Sequence, residues 1–186
     1  MWLFLLSEIL LFGGLFLLYA TYRYRDPAAF HAASLELSRF LGTLNTAILL
    51  TSSLTAALSI HFVRERKDSR GASLLIAATL ALGSAFLVVK GFEWAEKFRH
   101  GLYPNSPVLL ARSAGEILYF GLYFSMTGLH AVHLIVGLGV FGALLVLVRR
   151  GTITADRHQA LENGGLYWHL VDIIWIFLFP LFYLIG

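Results

Sequence analysis

Only a few residues in this 186-residue sequence could do chemistry, and most fall inside apolar stretches where such groups are costly. Glu8 lies within the run Trp2–Tyr22. A charged side chain at the centre of a bilayer costs about 3 kcal/mol or more, so an intramembrane acid marks a functional site by default. Glu8 could collect or relay protons near a membrane surface, or it could fix helix packing against a Ser or His on a neighbour. His130 and His133 are three apart and share one face of a helix. Two imidazoles on one face could ligate a metal or a haem, with His169, Asp172 or Glu116 completing the set. The other reading is a polar seam in which the histidines bond carboxylates on adjacent helices, because intramembrane ionisable groups face the bundle interior and pair there. Helix-bundle metal sites put Glu first in such a pair, with further carboxylates alongside, and here the first position is His. His169 and Asp172 repeat the spacing in YWHLVDIIW. Asn45, Thr46, Thr51, Ser52, Ser53 and Thr55 supply interhelical hydrogen-bonding groups. With no cysteine, thiolate metal sites, disulfides and a cysteine nucleophile are excluded. No nucleophile–base–orienter set and no phosphate-cradling glycine loop is present.

Long apolar runs must position these groups. A helix crosses the bilayer core in about 20 residues, and five runs reach that scale: about 2–22, 40–63, 73–91, 115–148 and 165–185. Their length and continuity predict helices, since barrel strands would show short alternating segments of about ten residues. The fourth run is long enough that its helix must tilt or protrude. Pro180 should bend or loosen the end of the fifth. The first run has no basic leader and carries an acid, which reads as a mature span and not a secretion signal. The expected fold is all-α: a polytopic integral membrane bundle of five transmembrane helices, with 1–186 a single transmembrane domain.

The composition agrees. Hydrophobic residues make up 58% of the chain and charged residues 13%, against about 25% charged in soluble domains. That balance excludes an ordinary soluble enzyme, a disordered chain and a nucleic-acid reader. The connectors are short. Residues 23–39 read as a polar loop with Asp26–Pro27 and a short amphipathic turn, 64–70 as a hydrophilic hairpin, 93–115 as a turn-rich segment around YPNSP, and 149–164 as the last loop. Lys/Arg counts nearly balance: seven in 64–70 and 149–164, against Arg23, Arg25, Arg39, Lys97, Arg99 and Arg112 on the other side, with Lys90 at its border. The dense cluster RERKDSR favours an inside N-terminus and an outside C-terminus.

The polar islands, taken in order, resemble subunit III of the haem–copper oxidases, the cytochrome c oxidase subunit III family. SEILLFGGLF at 7–16 is similar to its SE-x-x-FF helix and LNTAILLTSS at 44–53 to its N-T-x-x-L-L segment. KGFEWAEKF at 90–98 resembles the E-Y/W-x-E element and TGLHAVHLIVG at 127–137 the TG-x-H-x-x-H-x-x-x-G helix. ENGGLYWHLVDIIWIFLF at 162–179 resembles YWH-x-VD-x-x-W. Five motifs in the family's order, one per span, cover nearly the whole chain.

The resemblance implies a subunit with no active site and no cofactor of its own. It would pack directly on subunit I, within a complex that also holds subunit II and possible small subunits, with haem and copper in those partners. It implies structural phospholipid, protection of subunit I from turnover inactivation, and no nucleic-acid partner. Glu8 matches the family's carbodiimide-reactive glutamate, a proton-uptake-linked buried acid. Asn45, Glu93, Glu96, Glu116, His130, His133, Glu162, His169 and Asp172 take structural, interhelical roles, with no metal, catalytic or cofactor ligand among them. The family's topology matches the charge count, and the expected location is an energy-transducing membrane, the bacterial plasma membrane. The segments correspond to the last five helices of the seven-helix long form. Lipid contacts on the first two helices therefore do not carry over, and the family's lipid cleft would form only where subunit I supplies two extra helices, as partners of five-helix members can.

Three other readings stand beside this one. Short relatives serve quinol oxidases or accompany nitric oxide reductase, and the donor is set by other subunits. A haem b anchor of a quinone-linked dehydrogenase would use His130, His133 and His169. An autonomous proton or ion carrier lacks the repeats and discontinuous helices expected of one.

Overall fold

The computed structural model describes residues 2–184 and is helical throughout, with no strand among the described residues. Seven α-helices follow in order: α1 (Trp2–Arg25), α2 (Pro27–Ser34), α3 (Arg39–Arg64), α4 (Ser69–Arg99), α5 (Pro107–Leu110), α6 (Ala114–Arg149) and α7 (Gln159–Phe179). A π-helical turn, Pro180–Leu184, continues α7. Five helices are long and apolar enough to cross a membrane: α1, α3, α4, α6, and α7 with its π-helical extension. These are the five expected spans. The expected end of the fifth, Ile185, lies outside the described residues.

The boundaries differ from the hydropathy runs where charges are paired or capped. α4 continues through Lys90–Arg99, although the connector was expected to begin at residue 93. The helix absorbs it because Lys90 and Glu93, one turn apart, turn inward and meet. α6 runs 36 residues, about 54 Å at 1.5 Å per residue. In the expected loop 23–39, Asp26 starts a short helix: its carboxylate accepts the Ala29 N–H at 3.2 Å, with Pro27 in the first turn, where a missing N–H costs nothing. The chain turns through left-handed backbone at Gly101 (φ +69°), just before YPNSP, and again at Asn105 (φ +67°) within it. Ser106 then caps α5 by accepting the Leu109 N–H at 3.0 Å.

The chain forms two compact units, one of residues 2–44, 89–130 and 174–184, the other of residues 45–88 and 131–173. The core of the first is aromatic. Tyr19 packs edge-on against Phe30 and Phe182 at 5.3 and 5.1 Å between ring centres. Tyr119 meets Phe30 and Phe182 at 5.5 and 5.6 Å. Edge-to-face pairs of this kind add about 0.5–1.5 kcal/mol each beyond the area they bury. The second unit is organised around Trp168, fully buried and 5.0 Å from Phe141. A Cβ on Gly83 or Gly137 would stand 2.8 or 3.0 Å from its indole.

Candidate functional site

The first unit encloses a buried charged group. Lys90 and Glu93 sit on α4 with exposures of 3% and 1%. The Lys90 ammonium has three protons to donate, and three acceptors surround it: Glu93 Oε2 at 3.2 Å, the Tyr123 hydroxyl at 2.9 Å and the Tyr183 hydroxyl at 2.6 Å. Each tyrosine then donates its own proton to Glu93 Oε1, Tyr123 at 2.7 Å and Tyr183 at 2.6 Å. Every donor therefore has an acceptor, and the network closes on itself with no net charge. The ammonium also lies over the rings of Tyr123, Trp175 and Tyr183, at 4.7, 5.2 and 5.3 Å from their centres. A closed, neutral network of this kind fixes geometry.

The network draws on α4, α6 and the π-helical turn. Pro180 has no N–H, so the α-helical ladder cannot continue through it, and the turn opens to a π pattern. Two carbonyls of this turn accept tyrosine hydroxyls: Tyr119 donates to Phe182 O at 2.8 Å and Tyr19 to Leu181 O at 2.5 Å. Gly42 on α3 admits the Tyr183 ring, since a Cβ there would meet it at 2.8 Å. Beside the network, the His130 ring packs on Trp175 at 5.2 Å.

The second unit holds another polar group. Ser53 on α3 lies 2.6 Å from His169 Nδ1 on α7, and its hydroxyl also faces the Asp172 carboxyl. Asp172 is 3% exposed, and neither of its oxygens completes a hydrogen bond of ordinary geometry. Nearby in sequence, Trp168 donates to Ser52 at 3.1 Å, and the hydroxyls of Thr55 and Thr79 are 2.8 Å apart. Among the described residues, no three His, Asp, Glu or Cys side chains gather in a metal-binding arrangement.

The sequence matches the family model for cytochrome c oxidase subunit III over residues 1–186. The chain belongs to the cytochrome c oxidase subunit III family. Cytochrome c oxidase subunit 3 of Thermostichus vulcanus is 32% identical over 186 residues, covering 98% of this chain and 84% of that protein. A probable quinol oxidase subunit 3 of Staphylococcus haemolyticus is 30% identical, covering 100% and 87%. A heme-copper oxidase subunit I+III of Aeropyrum pernix is 32% identical over 100% of this chain, which spans 22% of that protein. With five membrane-length apolar helices, this subunit III chain is an integral membrane protein. Membership of the family implies a complex with other oxidase subunits.

The residues singled out in this subunit III sequence are not gathered in one place. Glu93 is the acid of the closed network, whereas Glu96 is exposed on the same helix. Glu8 is half-buried on α1. Glu116 pairs with Arg112 at 3.6 Å, and Arg112 also meets Glu36 at 3.2 Å. Glu162 takes His158 at 3.2 Å and Arg64 at 3.5 Å. The His133 carbonyl accepts the Tyr167 hydroxyl at 2.9 Å. Asn45 is fully buried, and its amide makes no hydrogen bond of ordinary geometry among the described residues. His169 and Asp172 do not pair directly, because Ser53 stands against both.

Sequence reasoning missed Lys90, Tyr123, Tyr183 and Trp175. The i,i+3 spacing of Lys90 and Glu93 was a usable signal for a helix running past the apolar stretch. Tyr183 carried none, because its partners are 90 and 93 positions away in the chain.

Proposed function

We propose that the chain is a non-catalytic subunit III of a proton-pumping haem–copper terminal oxidase in aerobic respiration. It packs on subunit I, holds phospholipid and supports proton uptake and turnover stability, with Glu8 as the acid linked to uptake. Haem and copper reside in the partner subunits. The observation that carries the reading is the Aeropyrum pernix protein, whose name joins subunits I and III and which matches 100% of this chain. A closed Lys90–Glu93–Tyr123–Tyr183 network suits a supporting role, since it stiffens the chain without offering a reactive group.

The proposed setting is a bacterial plasma membrane, N-terminus inside and C-terminus outside. Burial of Lys90 and Lys97 supports that orientation. It withdraws two cations from the side that nearly balanced the loops 64–70 and 149–164, and loop cations are what set topology.

Affinity purification of the tagged chain from its native membranes tests the reading. Subunits I and II should copurify with haem absorbance, and their absence from the preparation would overturn it. The Staphylococcus haemolyticus relative favours a second reading, a quinol oxidase. A dinuclear-copper signal in the purified complex indicates a cytochrome c donor, and a complex without that signal that oxidises quinol indicates the alternative.

A further inference from the structure

The second unit places one hydroxyl between an enclosed carboxyl and a half-buried imidazole. Ser53 on α3 is 2.6 Å from His169 Nδ1 and stands against Asp172. His169 and Asp172, three apart on α7, share a face. Asp172 is shut away, with both oxygens short of an ordinary hydrogen bond, while His169 is half-buried. A buried polar group left in this condition in a native fold calls for an explanation.

Counting protons supplies one. A serine hydroxyl donates once and accepts through its lone pairs. When His169 carries its proton on Nε2, Nδ1 is an acceptor and takes the only proton of Ser53. An ionised Asp172 would then face lone pairs alone, so the arrangement is complete only when Asp172 is un-ionised and donates its own O–H to Ser53 Oγ. When Nδ1 is protonated, the imidazole donates to Ser53 Oγ, and the hydroxyl turns to donate to an Asp172 carboxylate. In each arrangement the one Ser53 hydroxyl can serve His169 and Asp172 together.

Passing from one to the other moves a proton. The Asp172 O–H bond breaks as a new Ser53 O–H bond forms, and the original Ser53 O–H bond breaks as Nδ1–H forms. This leaves carboxylate and imidazolium. Loss of the Nε2 proton to water then returns a neutral imidazole, and one proton has left Asp172. Reprotonation at Nε2 reverses the sequence. Imidazole suits the step because its two nitrogens exchange donor and acceptor roles.

We propose that Ser53, His169 and Asp172 form an intramembrane proton relay, in which Asp172 stores one proton and exchanges it through the Ser53 hydroxyl and the His169 ring. The inference makes no use of Glu8 and does not depend on which complex holds the chain.

Infrared difference spectroscopy on the intact complex, exactly as the tagged chain purifies, tests it through the carbonyl stretch of un-ionised carboxyl groups. Asp172→Asn should remove one such band. In Ser53→Ala the band should move to higher frequency, as its hydrogen bond is lost, and its shift in heavy water should develop more slowly. Ser53→Thr keeps a hydroxyl and should restore both properties. A purely structural Ser53 would leave the exchange rate unchanged. The relay is overturned if Asp172→Asn leaves the carboxyl region unaltered, or if Ser53→Ala changes neither frequency nor exchange. Should Asp172→Asn fail to assemble, Ser53→Ala decides alone, since it removes only one small oxygen.

Discussion

Tyr183 donates to Glu93 Oε1 at 2.6 Å across 90 positions of sequence and accepts from Lys90 at the same distance. The last turn of the described chain is thereby tied to the C-terminal third of α4 through a buried ion pair. Removing one member of such a pair leaves the other charge uncompensated, which costs about 3–5 kcal/mol.

Glu93→Gln and Lys90→Met should each lower stability by about that amount. The double variant, having no buried charge to strand, should recover part of the loss. Detergent-unfolding midpoints of the purified complex measure all three, and a double variant as unstable as the sum of the singles would show that the pair is not coupled.

Tyr119→Phe removes the hydroxyl that holds Phe182 O in the π-helical turn. Interhelical hydrogen bonds in membrane proteins are worth about 0.6 kcal/mol on average and about 1.7 at most. A loss in that range is expected, together with faster amide exchange confined to 181–184.

Trp168 leaves no room beside Gly83 or Gly137, where a Cβ would stand 2.8 and 3.0 Å from its ring. Gly137→Val should destabilise the chain by about 1–3 kcal/mol through overpacking. At Gly139 a Cβ meets nothing within 4 Å, so Gly139→Ala should leave the stability of the chain alone intact or raised. The contrast between two positions on one helix separates packing from helix propensity.

Arg64–Glu162 and His158–Glu162 are surface pairs, with the Glu162 side chain 37% exposed. Exposed pairs contribute about 0–1 kcal/mol and are screened by salt. Glu162→Gln should therefore cost little, and less still as ionic strength rises. A large loss would mean that Glu162 has a further contact within the complex.

Glu8→Ala should abolish carbodiimide labelling of this chain while the complex still assembles. Labelling that persists at full extent would show that Glu8 is not the reactive acid, and mass-spectrometric mapping of the modified peptide would then identify which one is.

The helices were legible in the sequence because spanning a bilayer leaves little choice: about 20 apolar residues whose backbone groups must bond internally. Five runs became five membrane-length helices, and the ordered motifs led to the family without any coordinates. Glu93, His130, His169 and Asp172 also stood out, since an ionisable group among apolar ones is conspicuous. Their partners did not. Hydropathy placed Lys90 at the border of a span and Glu93 in a connector, because it scores each charge as though it faced the surroundings alone. A buried pair cancels its charge locally, and only the fold determines which charges meet. Ser53 was one of eight similar hydroxyl- or amide-bearing residues on its helix until α7 brought His169 and Asp172 to it. Tyr123 and Tyr183 resembled any aromatic residues of a membrane helix. Distant segments must converge before a hydroxyl acquires its acceptor, and neither periodicity nor composition records that convergence.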